Sequence, residues 1–189
     1  MEMKKIVVLF AFLFSGYIAI AQKDPVVVPY SVPVDSITKK ITYEGVVEVK
    51  GVSATDLFKR AHEWFMTFYK NPNEVIRSID SVSHKIEGKP RFRLSNPADK
   101  EGTRTDAGIT QYLITVIAKD GRFKYELTEF NWKQLSNFPS EKWLDIKSPS
   151  YTIAYNDYLQ QTDKQALEVI ASLKKAVTEL KTVKNKDNW

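Results

Sequence analysis

Apolar and polar residues alternate clearly from Ile41 to Val49, where Ile41, Tyr43, Val47 and Val49 point one way and Thr42, Glu44, Glu48 and Lys50 mostly the other. A period of two with one polar side predicts a half-buried strand. Gly51 ends it. Ser53, with Asp56 three residues on, then predicts a helix start, a variant of the capping box favoured by the helix dipole. Leu57, Phe58, Ala61, Trp64, Phe65 and Phe68 recur at helical spacing, so this helix carries a broad aromatic stripe that must lie on an apolar surface. It runs to Lys70, where Asn71-Pro72-Asn73 supplies a stop.

The pattern then returns to period two. Val75 to Asp80 predicts a short strand and Ile86 to Leu94 a longer one, in which Pro90 has no N–H to give a ladder and so marks an edge or a bulge. Residues 95–108 are polar and read as a long loop. Two further strands, Ile109–Ala118 and Phe123–Trp132, are joined by Asp120-Gly121, a strong hairpin signal. Residues 133–158 look irregular, a cover over one end of the sheet. A last helix is expected from Asp157 or Leu159 to Lys181, with Ala166, Leu167, Ile170, Leu173, Ala176, Val177 and Leu180 on its apolar side. The order β-α-β-β-β-β-α predicts an α+β protein of two layers, one antiparallel sheet with both helices on one face.

The start of the chain is different in kind. Lys4 and Lys5 precede an apolar run from Ile6 that ends in Ala19-Ile20-Ala21, the charge, core and small-residue pattern of a secretory signal. Residues 1–21 are therefore expected to be a signal peptide cleaved before Gln22, or else an uncleaved anchor, and the protein is expected to be periplasmic or secreted. Pro25, Pro29 and Pro33 make 22–38 an extended leader, flexible or draped on the surface. A single domain follows over 39–182, with a charged tail over 183–189. No transmembrane segment is expected after cleavage.

Composition narrows the chemistry. Of 189 residues none is cysteine, which excludes disulfides, thiol catalysis, cysteine metal sites and lipidation on cysteine. The net charge of +5 falls to +4 without Glu2, Lys4 and Lys5, which is too small to argue for nucleic acid as a partner.

Several segments together carry a resemblance. Tyr43-Glu44-Gly45-Val46-Val47, Gly51-Val52-Ser53-Ala54, Leu57-Phe58 and Trp64-Phe65 are joined by Tyr69-Lys70-Asn71-Pro72, Ile79-Asp80, Ile86-Glu87-Gly88-Lys89 and Phe123-Lys124-Tyr125-Glu126-Leu127. Over about 39–181 the chain resembles a bacterial exported family of unknown function with a TATA-binding-protein-like (TBP-like) fold. Ser83-His84 stands where that family has a glycine-containing turn. The resemblance implies fold and export, brings no catalytic residues, and does not imply DNA binding, because function resides in sites.

The chain has no phosphate-loop, dinucleotide, zincin or nucleophile-elbow motif, and Ser172-x-x-Lys175 lies inside the last helix without companion motifs. His62 reads as flanking the aromatic stripe, and Pro97 to Gly108 lacks the acidic first and twelfth positions of a calcium loop. No metal, cofactor or catalytic residue is called for. Two sets of candidates remain. Lys89, Arg91 and Arg93 share one strand face and Arg122 and Lys124 another, so the sheet face away from the helices is either an anion-binding surface or an ordinary solvated face diluted by Glu44, Glu48, Glu87 and Glu126. Phe130 and Trp132 continue the parity of Arg122 and Lys124; with Trp143 they either wall a pocket or are covered by 133–158 as a satellite core. The preferred function is an exported, non-enzymatic binding module of the bacterial envelope, meeting an anionic envelope component or another exported protein. The rival is a hydrolase-like enzyme in which Asp80, His84 and Glu87 converge.

Overall fold

The computed structural model describes residue 28, residues 30–133 and residues 137–179; the signal segment and the charged tail lie outside the described residues. The elements are β1 (Tyr43–Glu48), α1 (Ala54–Phe68), a single turn α2 (Pro72–Val75), β2 (Ile76–Asp80), β3 (Lys85–Gly88), β4 (Arg91–Ser95), β5 (Asp106–Lys119), β6 (Arg122–Lys133) and β7 (Asn137–Pro139). A short 3-10 turn (Ser140–Leu144) and α3 (Ala154–Thr178) follow. All strands join one antiparallel sheet, β1-β6-β5-β3-β2, with β4 alongside β5 beyond the end of β3 and β7 alongside β6.

Two sequence expectations change here for reasons of backbone chemistry. The strand expected over 86–94 is two strands broken at Lys89-Pro90, because proline cannot continue the ladder. The break stays satisfied: Lys89 N–H donates to the Val75 carbonyl at 2.8 Å and Tyr112 N–H to the Pro90 carbonyl at 3.1 Å. The strand expected from Val75 starts at Ile76 instead, since Pro72, pre-set for a first helical turn, lets 72–75 coil once.

The α1 start follows the capping logic. Asp56 N–H donates to Ser53 Oγ at 3.1 Å, and Ala54 N–H donates to Asp120 Oδ1 at 2.7 Å, tying the helix to the β5–β6 turn. Leu57, Ala61, Trp64 and Phe65 are buried against the sheet, while Phe68 at the helix end is partly exposed. Gly88 allows the close approach, because a β-carbon there would stand 3.0 Å from the Phe65 ring. Along α3 the buried stripe of Leu159, Ala166, Val169, Ile170, Leu173 and Val177 extends N-terminally through Tyr155 and Tyr158, so the helix begins at Ala154, ahead of both expected starts, Asp157 and Leu159. Both helices cover the same sheet face, joined by Trp64 Nε1 donating to Ser172 Oγ at 3.0 Å and by Arg60 donating to the Val177 carbonyl at 3.0 Å.

The described part of the leader is docked. Asn156 reads its backbone twice, accepting from Tyr30 N–H and donating to the Val28 carbonyl, each at 3.0 Å. The phenols of Tyr30 and Tyr43 donate to the two oxygens of Asp163 at 3.0 and 2.8 Å. Burial, and then the Asp163 carboxylate, push the Tyr43 phenol far above its ordinary range.

The largest correction concerns β6. Phe123, Tyr125 and Leu127 are buried, as their alternation demands, yet so are Phe130 and Trp132, which have the opposite parity. Leu113 pairs with Thr128 and Gln111 with Asn131, so two steps on β5 oppose three on β6. Glu129 is the extra residue, held at a φ of 55°. This bulge turns every later side chain to the other face.

Candidate functional site

The aromatic candidates are core. Phe130 stacks on Tyr112 with ring centres 5.2 Å apart, and Trp132 meets Trp143 edge-on at 5.7 Å. Trp132 Nε1 donates to the Ala107 carbonyl at 2.7 Å, and Trp143 is fully buried. An exposed aromatic wall built by Phe130, Trp132 and Trp143 is therefore not what the structure contains: the Glu129 bulge turns the first two inward, and the 3-10 turn brings the third over them.

The basic candidates separate by environment. On the open sheet face acids lie beside bases, some across neighbouring strands and some two residues along the same strand. Lys124 lies 2.6 Å from Glu44 and 3.5 Å from Glu126, Lys85 lies 2.8 Å from Glu87, and Arg93 lies 2.8 Å from Asp106. The hydrogen bond from Lys124 to Glu44 holds the ammonium above its usual pKa, and Lys85 holds the Glu87 carboxyl below the usual carboxylate range. Arg122 sits opposite Glu48 in the register but makes no ion pair within 4 Å among the described residues. It lies with Lys119 and Lys124 around a shallow hollow of about 280 Å³ floored by Val46 and Ile117.

Lys89 and Arg91 are placed differently. They border a cleft of about 540 Å³ where the end of α1, the α2 turn and the β2, β4 and β5 strands meet. Lys70 and Arg77 converge on the same cleft, and Glu74 is its one carboxylate, engaged with Arg91 at 3.2 Å. Four cations thus face one acid, and that acid is already paired. The floor is rigid: the Tyr69 ring packs on Trp64, Phe65 and Phe68, and its hydroxyl lies 3.4 Å from that of Tyr112. Burial raises both phenols, Tyr112 to about 12, so neither ionises at neutral pH. Arg93 is absent from this cleft although it shares the β4 face with Arg91. Lys70, Arg77 and the amides Asn71, Asn73 and Gln111 were not among the sequence candidates. Lys70-Asn71-Pro72-Asn73 signalled only a helix stop, and nothing in the linear chain ties Arg77 or Gln111 to it.

Asp80, His84 and Glu87 each have separate local work. Asp80 accepts from Ser83 Oγ at 2.6 Å and from Val82 N–H at 2.9 Å, closing the β2–β3 turn; these bonds, that from Ser83 Oγ foremost, hold its carboxyl below the usual range. His84 lies against Phe58 and within 3.2 Å of Thr55 Oγ1, and Glu87 bonds Ser78 and Lys85. Among the described residues no group of three or more histidines and carboxylates gathers as a metal site. No helix there is long and apolar enough to cross a membrane.

One antiparallel sheet backed on a single face by two helices defines an α+β protein with the TBP-like fold. Residues 43–133 match the family described as a domain of unknown function (DUF4468) with TBP-like fold. A DUF4468 family protein from Bacteroides ovatus superposes with a TM-score of 0.63 at 15% identity, covering 80% of this chain and 92% of that one. A TBP-like protein from Parabacteroides distasonis gives 0.52 at 15% identity, with coverage of 77% and 98%. At such identities the likeness concerns the fold. No curated protein matches the sequence.

Proposed function

We propose that this protein is an exported, non-enzymatic binding module of the bacterial cell envelope whose partner is anionic. The observation that carries this reading is the local excess of cations at the cleft, where Lys70, Arg77, Lys89 and Arg91 face only Glu74. Elsewhere on the sheet the basic side chains mostly have acidic neighbours, so an anion gains little there. A concave cationic wall focuses the field that attracts an anion, and that attraction weakens as salt screens it. Export is supported by the lysines and apolar run of residues 1–21.

The test is retention of purified protein on envelope fractions at low and high salt. Exchanging Lys89 and Arg91 for Glu should abolish salt-sensitive retention, while Arg93→Glu, outside the cleft, should leave most of it. Equal retention of all three proteins would refute the electrostatic reading. Mass analysis of the exported protein should find Gln22 at its N-terminus.

A further inference from the structure

We infer that the cleft takes an anionic sugar, a saccharide unit bearing a carboxylate or phosphate, in preference to a bare inorganic anion. This rests on the anion-binding reading above and names the class of ligand. The cations alone attract any anion, since Lys and Arg only donate. The amides lining the same cleft add a second kind of chemistry. Asn71 stands at the N-cap of α2, yet its side chain makes no capping hydrogen bond. Asn73 has no hydrogen-bond partner for its amide among the described residues, and Gln111 gives one N–H to the Lys89 carbonyl at 3.4 Å while its oxygen stays unused.

An amide oxygen finds little to pair with on inorganic phosphate, which at neutral pH offers mostly acceptors and only one or two O–H groups. It does match a hydroxyl, which donates and accepts at once. Three amides beside four cations therefore fit a ligand with hydroxyls and one anionic group. The Tyr69 ring, locked by Trp64, Phe65 and Phe68, gives the cleft a fixed partly apolar wall of the kind on which a sugar's C–H face rests. A volume of about 540 Å³ accommodates a small saccharide, within the roughly 300–1,000 Å³ of small-molecule sites. Glu74 and Arg91 are both more than 60% exposed, so their ion pair is weak and an incoming anion can take over Arg91.

Titration calorimetry of the full chain tests this with glucuronate, galacturonate and glucose 6-phosphate, against glucose and inorganic phosphate. At least one sugar acid should bind more tightly than both controls. Gln111→Ala and Asn73→Ala together should weaken that ligand by about fivefold or more, the worth of a net hydrogen bond, and change phosphate binding less than twofold. Arg77→Gln should weaken both anions. Circular dichroism confirms that the variants remain folded. Phosphate binding as tightly as every sugar acid, or amide variants without effect, would overturn the inference. Salt-sensitive retention on envelope fractions without sugar-acid binding would overturn it too, while leaving the envelope reading in place.

Discussion

The two faces of the sheet are built from the same strands and work by different physics. On the covered face Phe123, Tyr125, Leu127, Ile114 and Val116 are almost completely buried under α1 and α3, and apolar burial there supplies stability at roughly 25 cal/mol per Å². The open face carries Glu44, Lys124, Glu126, Lys85 and Glu87 in ion pairs whose members keep substantial exposure, so each contributes at most about 1 kcal/mol. What the open face contributes is electrical neutrality: its register spends cations on acids. Cations gather with fewest acids at the border where α2 and the broken β3–β4 edge meet, and on a smaller scale at Lys119 and Arg122 beside the β5–β6 turn. A charge count along the chain is therefore a poor guide to where an anion would settle.

That contrast can be broken by substitutions of graded size. Trp64→Ala removes a ring 3% exposed whose indole N–H bonds Ser172, and should cost about 3–5 kcal/mol in urea unfolding. A loss below about 1 kcal/mol would mean that α1 is not packed on the sheet as described. Gly45→Ala comes next. Although Gly45 belongs to the β1 edge, a β-carbon there would stand 2.5 Å from the Tyr125 hydroxyl oxygen, so overpacking should cost about 1–3 kcal/mol. Tyr125→Phe in the same chain should recover part of that loss, which a purely conformational glycine effect would not allow.

Smaller still is His84→Gly. His84 is held at a φ of 52°, where a β-carbon is strained, so glycine should raise stability by up to about 1 kcal/mol, read as a higher urea midpoint. A decrease would show that the contacts with Phe58 and Thr55 outweigh the strain. At the bottom of the scale, Lys124→Ala on the open face should shift stability by no more than about 0.5 kcal/mol. A loss above 2 kcal/mol would make the paired face structural, and the comparison between the faces would fail.

Several of these features were legible in the chain. The capping residues Ser53 and Asp56, the aromatic stripe of α1, the Asp120-Gly121 hairpin and the half-buried alternation of β1 are local signals, and each appears where its period put it. Pro90 marked an edge irregularity, which proved to be a clean break into two strands. The turn at Ser83-His84 was not legible: the missing glycine argued against carrying over the family's turn geometry, yet His84 adopts a left-handed backbone at a φ of 52°. The candidate site was legible by half. Lys89 and Arg91 belong to the cleft, but Arg93, one alternation further along β4, pairs with Asp106 instead. Phe130 and Trp132 were assigned to the wrong face because nothing in Thr128-Glu129-Phe130 announces a bulge.

By itself the sequence determined the alternation of strands, the amphipathic stripes, the helix starts and the absence of thiol chemistry, all properties of neighbouring residues. Tertiary structure decided the rest. The left-handed backbone at Glu129 is tolerated because it lets both halves of β6 bury their aromatics, a gain that no local window contains. The cleft exists because Lys70, Arg77, Lys89 and Gln111 are brought together from different elements by the packing of α1 and α2 against the sheet edge. Which acids Lys124 and Arg93 meet across strands is set by register, and register is fixed only when the whole sheet finds its core.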